Sequence, residues 1–392
     1  MVVKYRPSMF GNHILTEARV SRMKDNITNN VPVVLDGTQR TSSGRFGFGW
    51  NEVMSRTQSA YTPYGLERYT VELSDNESAG YDNNRLFIRS NYGGSAENQA
   101  ERAVLSSHRA SDFHNVQAFA LKYHVEGDEW AAHQAVNILS KWLDIEFWHM
   151  PVSDTRLSMS DKWTGYILSA MMLKGSEAYT STVEARMRAT TAKWWPQIST
   201  AYASGQSNWA GWGCAFEMYC SVFLGERERF NDAVLLWRKI FDRSVLNNEP
   251  WTETGRAGGE NLGETGGVSG IQYSNFFTNS MVRCAEIARV NGVWLYDHTA
   301  PDGSTLRGVY ENCISWLRDW TLGPYGGPGT PSRNIQSYIL ILHNLWPNED
   351  SENIVEQKPS ASGDAVGPSN TFQDSTGHSF TPLLYFGNPL VD

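Results

Sequence analysis

The sequence predicts an all-α protein organised as an α/α toroid, an incomplete barrel of helical hairpins, with an irregular N-terminal segment and a C-terminal tail. Three observations carry that expectation. Apolar residues recur at helical spacing through residues 96–346. The breaks between these runs are short, at Glu126-Gly127-Asp128, Gly225-Glu226-Arg227 and Asp302-Gly303-Ser304, and short links make successive helices antiparallel neighbours. No fixed-period self-similarity runs along the chain, which argues against a repeat solenoid. About ten such helices in about 250 residues suit a ring of hairpins better than a four-helix bundle.

The elements follow in order. Residues 1–95 are polar, with short alternating runs only at RYTVEL (68–73) and RLFIRS (85–90); loops, one or two helical turns and a small hairpin are expected there. Phe113, Val116, Phe119, Ala120 and Tyr123 then share one helical face, and Ala131, Ala135, Ile138, Leu139 and Trp142 the next. Trp163, Ile167, Ala170 and Met171 follow, then Phe216, Tyr219, Cys220 and Phe223. Further stripes are Val234, Trp237 and Phe241; Phe277, Met281, Cys284 and Ala288; Tyr310, Ile314 and Leu317; and Ile335, Tyr338, Ile339 and Leu342. Residues 347–392 return to Ser, Pro, Gly and acidic residues, and their last apolar patch, FTPLLYFGNPLV, is expected to dock on the body.

Composition bounds the function. Of 392 residues, 40% are hydrophobic and 19% charged, the balance of a globular chain rather than a disordered one. Aromatics are abundant, with 15 Trp, 17 Tyr and 16 Phe; most belong in a core, and a surplus suits sugar stacking or an apolar pocket. A net charge of −9 without any basic block leaves no footprint for nucleic acid. No apolar run is long enough for a bilayer span, and the first 20 residues lack the apolar core of a signal peptide. The four cysteines form no CxxC pair; buried thiols are expected, a disulfide stays open, and neither they nor the histidines make a zinc pattern.

Three places depart from what a ring of helices needs. The segment QSNWAGWG (206–213) opens a helix with Asn208, a cap by type, beside Trp209 and Trp212. A carboxamide next to an aromatic platform at a helix N-terminus also suits an anionic ligand. The stretch TETGRAGGENLGETGGVSGIQYSNFF (252–277) holds seven glycines between Gly255 and Gly270. So long an irregular passage is costly in chain entropy and points to a binding loop. Arg256 is its one cation; Glu253, Glu260 and Glu264 could hold it or serve as acid and base, and Gln272 and Tyr273 stand where the helix resumes. Lastly, SSHRASDFHN brings His108, Arg109 and His114 close to Asp112 in sequence.

Taken together these segments resemble the alginate lyase superfamily of polysaccharide lyases, whose members have α/α toroid folds. DFHNVQAFALKYHVEGDEWAAHQAVNILSKW is similar to a family segment in which one helix ends in a Thr-Gly-Asp-like turn and the next leads to Trp. The stretch from Trp194 to Trp237 resembles the family's Asn-Trp helix and the acidic turn after it; TETGR matches a Glu-x-Gly-Arg element. AEIARVNGVWLYDHTAPDGSTLRGVYENCISW resembles a segment reading AE-x-A-x-x-x-G-x-D-LY with a later Leu-x-x-Gly-x-Glu-Tyr. Such lyases cleave 4-linked uronate chains by β-elimination. The resemblance implies that Asn208 binds the carboxylate, Arg256 supports charge or positions the tyrosine, and Tyr273 supplies the phenolic acid and in one version the base. Trp209, Trp212, Gln272, Glu253, Glu260 and Arg109 would contact the substrate.

The chain departs from the pattern twice. Many relatives follow Glu-x-Gly-Arg with Asp-x-Gly-His-Thr, whereas Arg256 is followed by AGGENLGETGGVSGIQYS. In lyases with an Asn-His pair, histidine follows the asparagine; here Trp209 does. The base then falls to His108, His114 or Tyr273 itself. The expected substrate is an acidic polysaccharide, alginate, mannuronan or a glucuronan-like polymer, with groove charge from Arg256, Arg109, Lys122 and Lys162. No cofactor or metal is called for, no nucleic acid or membrane partner is expected, and the polymer places the enzyme outside the cell or in the periplasm. The alternatives are an inverting hydrolase on a similar ring, needing two carboxyls ~6.5–9.5 Å apart such as Asp112 with Glu253, Glu260 or Glu264, and a non-catalytic carbohydrate-binding protein.

Overall fold

Helical stripes of this kind bury themselves in pairs, and that is how the chain is arranged in a computed structural model. It describes residues 50–63, 112–143, 153–199, 208–245, 268–318 and 338–351, with Ser21, Lys24 and short strand segments. In chain order the elements are β1 (Val33–Leu35), β2 (Thr38–Arg40), α1 (Trp50–Arg56), β3 (Leu86–Phe87), α2 (residues 112–126), α3 (Glu129–Leu143), β4 (Trp148–His149), α4 (Ser153–Met172), α5 (Ser181–Ser199), α6 (Asn208–Leu224), α7 (Arg227–Ser244), α8 (Val268–Val290), α9 (Leu306–Arg318) and α10 (Tyr338–Leu345). Among the described residues no helix is long and apolar enough to cross a membrane. Two compact units divide the chain, Val53–Ala201 and Met1–Glu52 with Tyr202–Asp392.

In the unit Val53–Ala201 the predicted stripes of α2, α3 and α4 are buried but for Tyr123, and their aromatics meet. Trp163 stands 4.5 Å from Trp194 and 5.3 Å from Tyr166, and Trp142 5.6 Å from Tyr166. Phe113 fits where Gly165 leaves room, since a Cβ on Gly165 would overlap its ring. Two of the indoles bond as burial requires: Trp163 Nε1 donates to Thr191 Oγ1 at 3.0 Å and Trp142 Nε1 to Asp112 Oδ2 at 3.0 Å. Asp128 opens α3 as its N-cap, its Oδ1 accepting from the Ala131 N–H at 3.1 Å while Lys122 Nζ lies 3.0 Å from Oδ2. Burial would push the Asp128 carboxyl up, but the Lys122 hydrogen bond and the Ala131 N–H outweigh it and hold the group below its usual value.

Helix α5 had no stripe in the sequence reading. Its buried face is made of Met187, Thr190, Thr191, Trp194 and Trp195, a mixture in which threonine hides the periodicity. The RLFIRS run also pairs differently from a local hairpin. Leu86 and Phe87 lie parallel to Trp148 and His149, while the hairpin that does occur is β1 with β2, antiparallel, with Val33 opposite Arg40. Residues 68–73 and the final FTPLLYFGNPLV patch lie outside the described residues.

The second unit is built around α6 and α8. Helix α6 is buried all round except at Trp209, Glu217 and Leu224, as a central helix must be. Helix α7 is amphipathic, burying Phe230, Val234, Trp237 and Phe241 and exposing Leu235. Contacts fix the directions. Cys214 Sγ reaches Ala233 O, Trp237 Nε1 donates to Met281 O at 3.0 Å, and Cys284 Sγ approaches Gly211 O. Gly211 lies against Ser280 and Cys214 against Cys284, about one turn further along each helix, so α6 and α8 run parallel, and the tight turn at Gly225 makes α7 antiparallel to both. All four cysteines are buried thiols, none in a disulfide.

The turn after α8 explains the Ala285-Glu286 to Leu295-Tyr296 motif. Gly292 ends the helix at φ +86°, which lets its N–H reach Arg289 O and the Val293 N–H reach Ala288 O. That turn returns Tyr296 under the helix, where its hydroxyl donates to Glu286 Oε1 at 2.6 Å. Arg289 grips both oxygens of the same carboxylate at 3.1 and 3.3 Å. The buried charge is thereby paired and hydrogen-bonded, the only form in which burial is tolerable.

Candidate functional site

Asn208 is the first residue of α6 and is 4% exposed. Its neighbours split by helical geometry: Trp209 is half-exposed, whereas Trp212, one turn on, is buried with the rest of the helix. The N-terminus of α6 thus joins helix-end backbone N–H groups, a carboxamide and an accessible indole, a combination suited to an anionic sugar.

Helix α8 runs beside this end. A Cβ built on Gly211 would overlap Ser280 Oγ and lie 3.0 Å from Ser280 Cβ, so the two backbones approach closely at that level. Asn208 stands one turn before Gly211, while Tyr273 stands two turns before Ser280, with Gln272 adjacent. With the helices parallel, positions 208 and 273 lie at the same end of the pair, offset by about 6 Å along the axes at 1.5 Å per residue. The structure thus places the backbones of Asn208, Trp209, Gln272 and Tyr273 at the same end of one helix pair, within one unit. No sequence reading picked out Gly211 or Ser280. The signal is two small residues, Ala210 and Gly211, between Trp209 and Trp212, with Gly213 after them, on a helix too apolar to face solvent.

The remaining candidates are distributed. His114 sits on α2 in the other unit, half-buried, its ring edge-on to Phe113 at 5.3 Å. Asp112, the carboxylate that the hydrolase alternative requires, is wholly buried. It accepts from Tyr61 Oη at 2.8 Å and from Trp142 Nε1 at 3.0 Å, so it ties helices together. Lys122 is engaged by Asp128 and stands over the Trp130 ring at 5.9 Å. His108, Arg109, Glu253, Arg256, Glu260 and Glu264 lie outside the described residues.

Electrostatics separate structural phenols from a proton-transfer phenol. Burial pushes Tyr179, Tyr310 and Tyr338 upward. A phenol that exchanges protons near neutrality needs the opposite shift, from cations or donors that favour phenolate. These three are core residues. Among the described residues no group of three or more His, Cys, Asp or Glu side chains is arranged to hold a metal ion.

Comparison with known proteins now has a geometry to meet. Residues 62–320, about two thirds of the chain, match a family model described as alginate lyase. The fold is similar to the crystal structure of an alginate lyase from Bacteroides ovatus, with a TM-score of 0.64 at 14% identity over 98% of this chain and 100% of that one. It is also similar to alginate lyase A1-III from Sphingomonas species A1, with a TM-score of 0.59 at 13% identity over 99% and 98% of the two chains. A histidine-to-alanine variant of A1-III, complexed with tetrasaccharide, matches with the same figures. No curated protein matches the chain. At such identities the likeness establishes the fold, the α/α toroid that the helical stripes predicted.

Proposed function

The chain belongs to the alginate lyase family and is a polysaccharide lyase, and from that premise we propose that it cleaves alginate, or a related 4-linked uronate chain, by β-elimination at the shared end of α6 and α8. The observation that carries this reading is the pairing of positions: Asn208 at the start of α6 and Tyr273 on the parallel helix beside it.

The chemistry sets three tasks. The C5 proton of a uronate is weakly acidic, so the adjoining carboxylate must be stabilised as negative charge grows on it. Asn208 does this with its carboxamide, aided by the N–H groups at the α6 N-terminus and by Arg256. A base must then take the proton, and an acid must protonate the departing O4. With Trp209 where other lyases carry histidine, Tyr273 performs both transfers. Its phenolate accepts the C5 proton, the C4–C5 double bond forms as the C4–O4 bond breaks, and the phenol returns the proton to O4. Arg256 favours the phenolate by charge. Trp209 stacks against a sugar face, and Trp212 backs it from the core. Glu253, Glu260 and Gln272 are assigned to the cleft lining.

In the same reading residues 96–346 form the catalytic ring, 1–95 a lid or contact arm, and 347–392 a tail docked on the ring. The polymeric substrate places the enzyme in the periplasm or outside the cell. Tyr273→Phe is the test. It is expected to lower turnover at least a thousandfold while a uronate tetrasaccharide binds within about threefold of the parent, a combination that needs both proton transfers to depend on one hydroxyl. Near-normal activity in this variant rejects the mechanism. The solved A1-III variants with a histidine or a tyrosine replaced, both complexed with tetrasaccharide, are the precedent for a binding-competent enzyme of that kind.

A further inference from the structure

We propose that the Gly211–Ser280 contact is a spacer that fixes the separation of Asn208 and Tyr273, which makes Gly211 and Ser280 positioning residues for the elimination. The inference rests on the assignment of Asn208 and Tyr273 given above. Its own foundation is the packing of α6 against α8.

Three observations support it. First, the contact is at the limit of close approach. A methyl group on Gly211 would overlap Ser280 Oγ, lie 3.0 Å from Ser280 Cβ and 3.6 Å from Met281 Sδ. Second, the contact cannot yield easily. Ser280 is wholly buried and its hydroxyl is turned back to Phe277 O at 2.6 Å, so the side chain is held by its own helix. Behind it Met281 carries the Trp237 hydrogen bond on its carbonyl, and Cys284 lies against Gly211 O. Third, the contact is near the reacting groups. Gly211 is one turn from Asn208, and Ser280 two turns from Tyr273, along helices too short in that interval to absorb a shift by bending.

The consequence is geometric. The helix carrying the carboxylate-binding amide and the helix carrying the phenol approach most tightly at Gly211 and Ser280, and the packing continues beyond them at Cys284. Widening that contact by one methyl group moves the backbones of α6 and α8 apart by a sizeable fraction of an ångström, and positions 208 and 273 with them. Proton transfer tolerates such a change poorly, since misplacement by about 1 Å can cost about 100-fold in rate. Ground-state binding, shared among Trp209 and the cleft lining, tolerates it better. The spacer therefore acts on kcat more than on KM.

The experiment is a compensation cycle read by kinetics on alginate. Gly211→Ala is expected to lower kcat at least tenfold, with KM and tetrasaccharide affinity within about threefold. Ser280→Gly placed in the same chain removes the opposing Cβ and is expected to restore kcat to within about threefold of the parent. Ser280→Thr enlarges the contact from the other side and should reproduce the kcat loss; it carries the test if Gly211→Ala does not fold. Trp163→Phe is the control, because it removes a core hydrogen bond away from α6 and α8 and should lower the melting temperature with kcat unchanged. A folded Gly211→Ala enzyme with kcat within twofold of the parent overturns the spacer, as does a loss that Ser280→Gly fails to rescue. Failure of the underlying assignment looks different: Tyr273→Phe would then remain active, and the spacer would fall with it.

Discussion

The Glu286 cluster offers the sharpest test of what is scaffold and what is site. Glu286 belongs to a motif that resembles a family signature, and a buried glutamate in a lyase invites a catalytic reading. The geometry argues otherwise. Its carboxylate is 1% exposed, accepts the Tyr296 hydroxyl at 2.6 Å, and is gripped by Arg289 through both oxygens. It lies 13 residues along α8 from Tyr273, roughly 20 Å at helical rise. Glu286→Gln keeps the shape but leaves Arg289 buried against a neutral amide. Breaking such a pair costs about 3–5 kcal/mol. For a unit of this size that is a fall in melting temperature of roughly 6 °C or more. Tyr296→Phe removes one hydrogen bond to a charged group and should cost about 1.5–3 kcal/mol. In the Glu286→Gln background the same change should cost distinctly less, because the charge that strengthened the bond is gone. Thermal melts of the four proteins measure this, with turnover on alginate recorded well below the transition and expected within threefold of the parent. A Glu286→Gln enzyme that melts like the parent yet loses turnover would refute the scaffold argument and make Glu286 a site residue.

Two further outcomes are expected. Asp128→Ala removes the α3 cap and should cost about 1 kcal/mol at neutral pH. The Asp128 carboxyl is held below its usual value in the fold. Its stabilisation is therefore complete above the unfolded value of about 3.9 and is lost as pH falls through the lower folded one. Melting curves of parent and variant should converge in acid, and a gap that persists at the lowest pH contradicts the charge argument. Trp209→Ala should raise KM on alginate about tenfold, equivalent to ~1.4 kcal/mol of stacking, with kcat within threefold. A selective loss of kcat would instead put Trp209 in the proton-transfer step.

The fold was legible where one residue class did one job. The stripes of α2, α3, α4, α6, α7 and α8 combine large apolar residues at helical spacing, and the described positions among them are buried but for the half-exposed Tyr123. Helix α5 was not legible because Thr190 and Thr191 do part of its burying; Thr191 serves as the acceptor for Trp163 Nε1, a role periodicity does not see. The pairing of Leu86 with Trp148 joins segments some sixty residues apart, and nothing local announces it. At the site, Asn208 and Trp209 could be read from residue type and position. The spacer could not, because Gly211 and Ser280 are unremarkable singly and acquire meaning only when two helices distant in sequence are laid side by side. Asp112 shows the converse error. Beside two histidines it reads as a reactive carboxyl, whereas Tyr61 and Trp142 make it a structural acceptor.

The measurement that bears most directly on the central claim is the chemistry of the product. Alginate is incubated with the protein, and new reducing ends are counted alongside the ultraviolet absorbance of unsaturated uronate. Elimination produces one C4–C5 double bond for each chain cut, so the two signals should rise together in a one-to-one ratio. Reducing ends that appear without unsaturation would contradict the account, because water rather than an internal proton transfer would then have cleaved the chain.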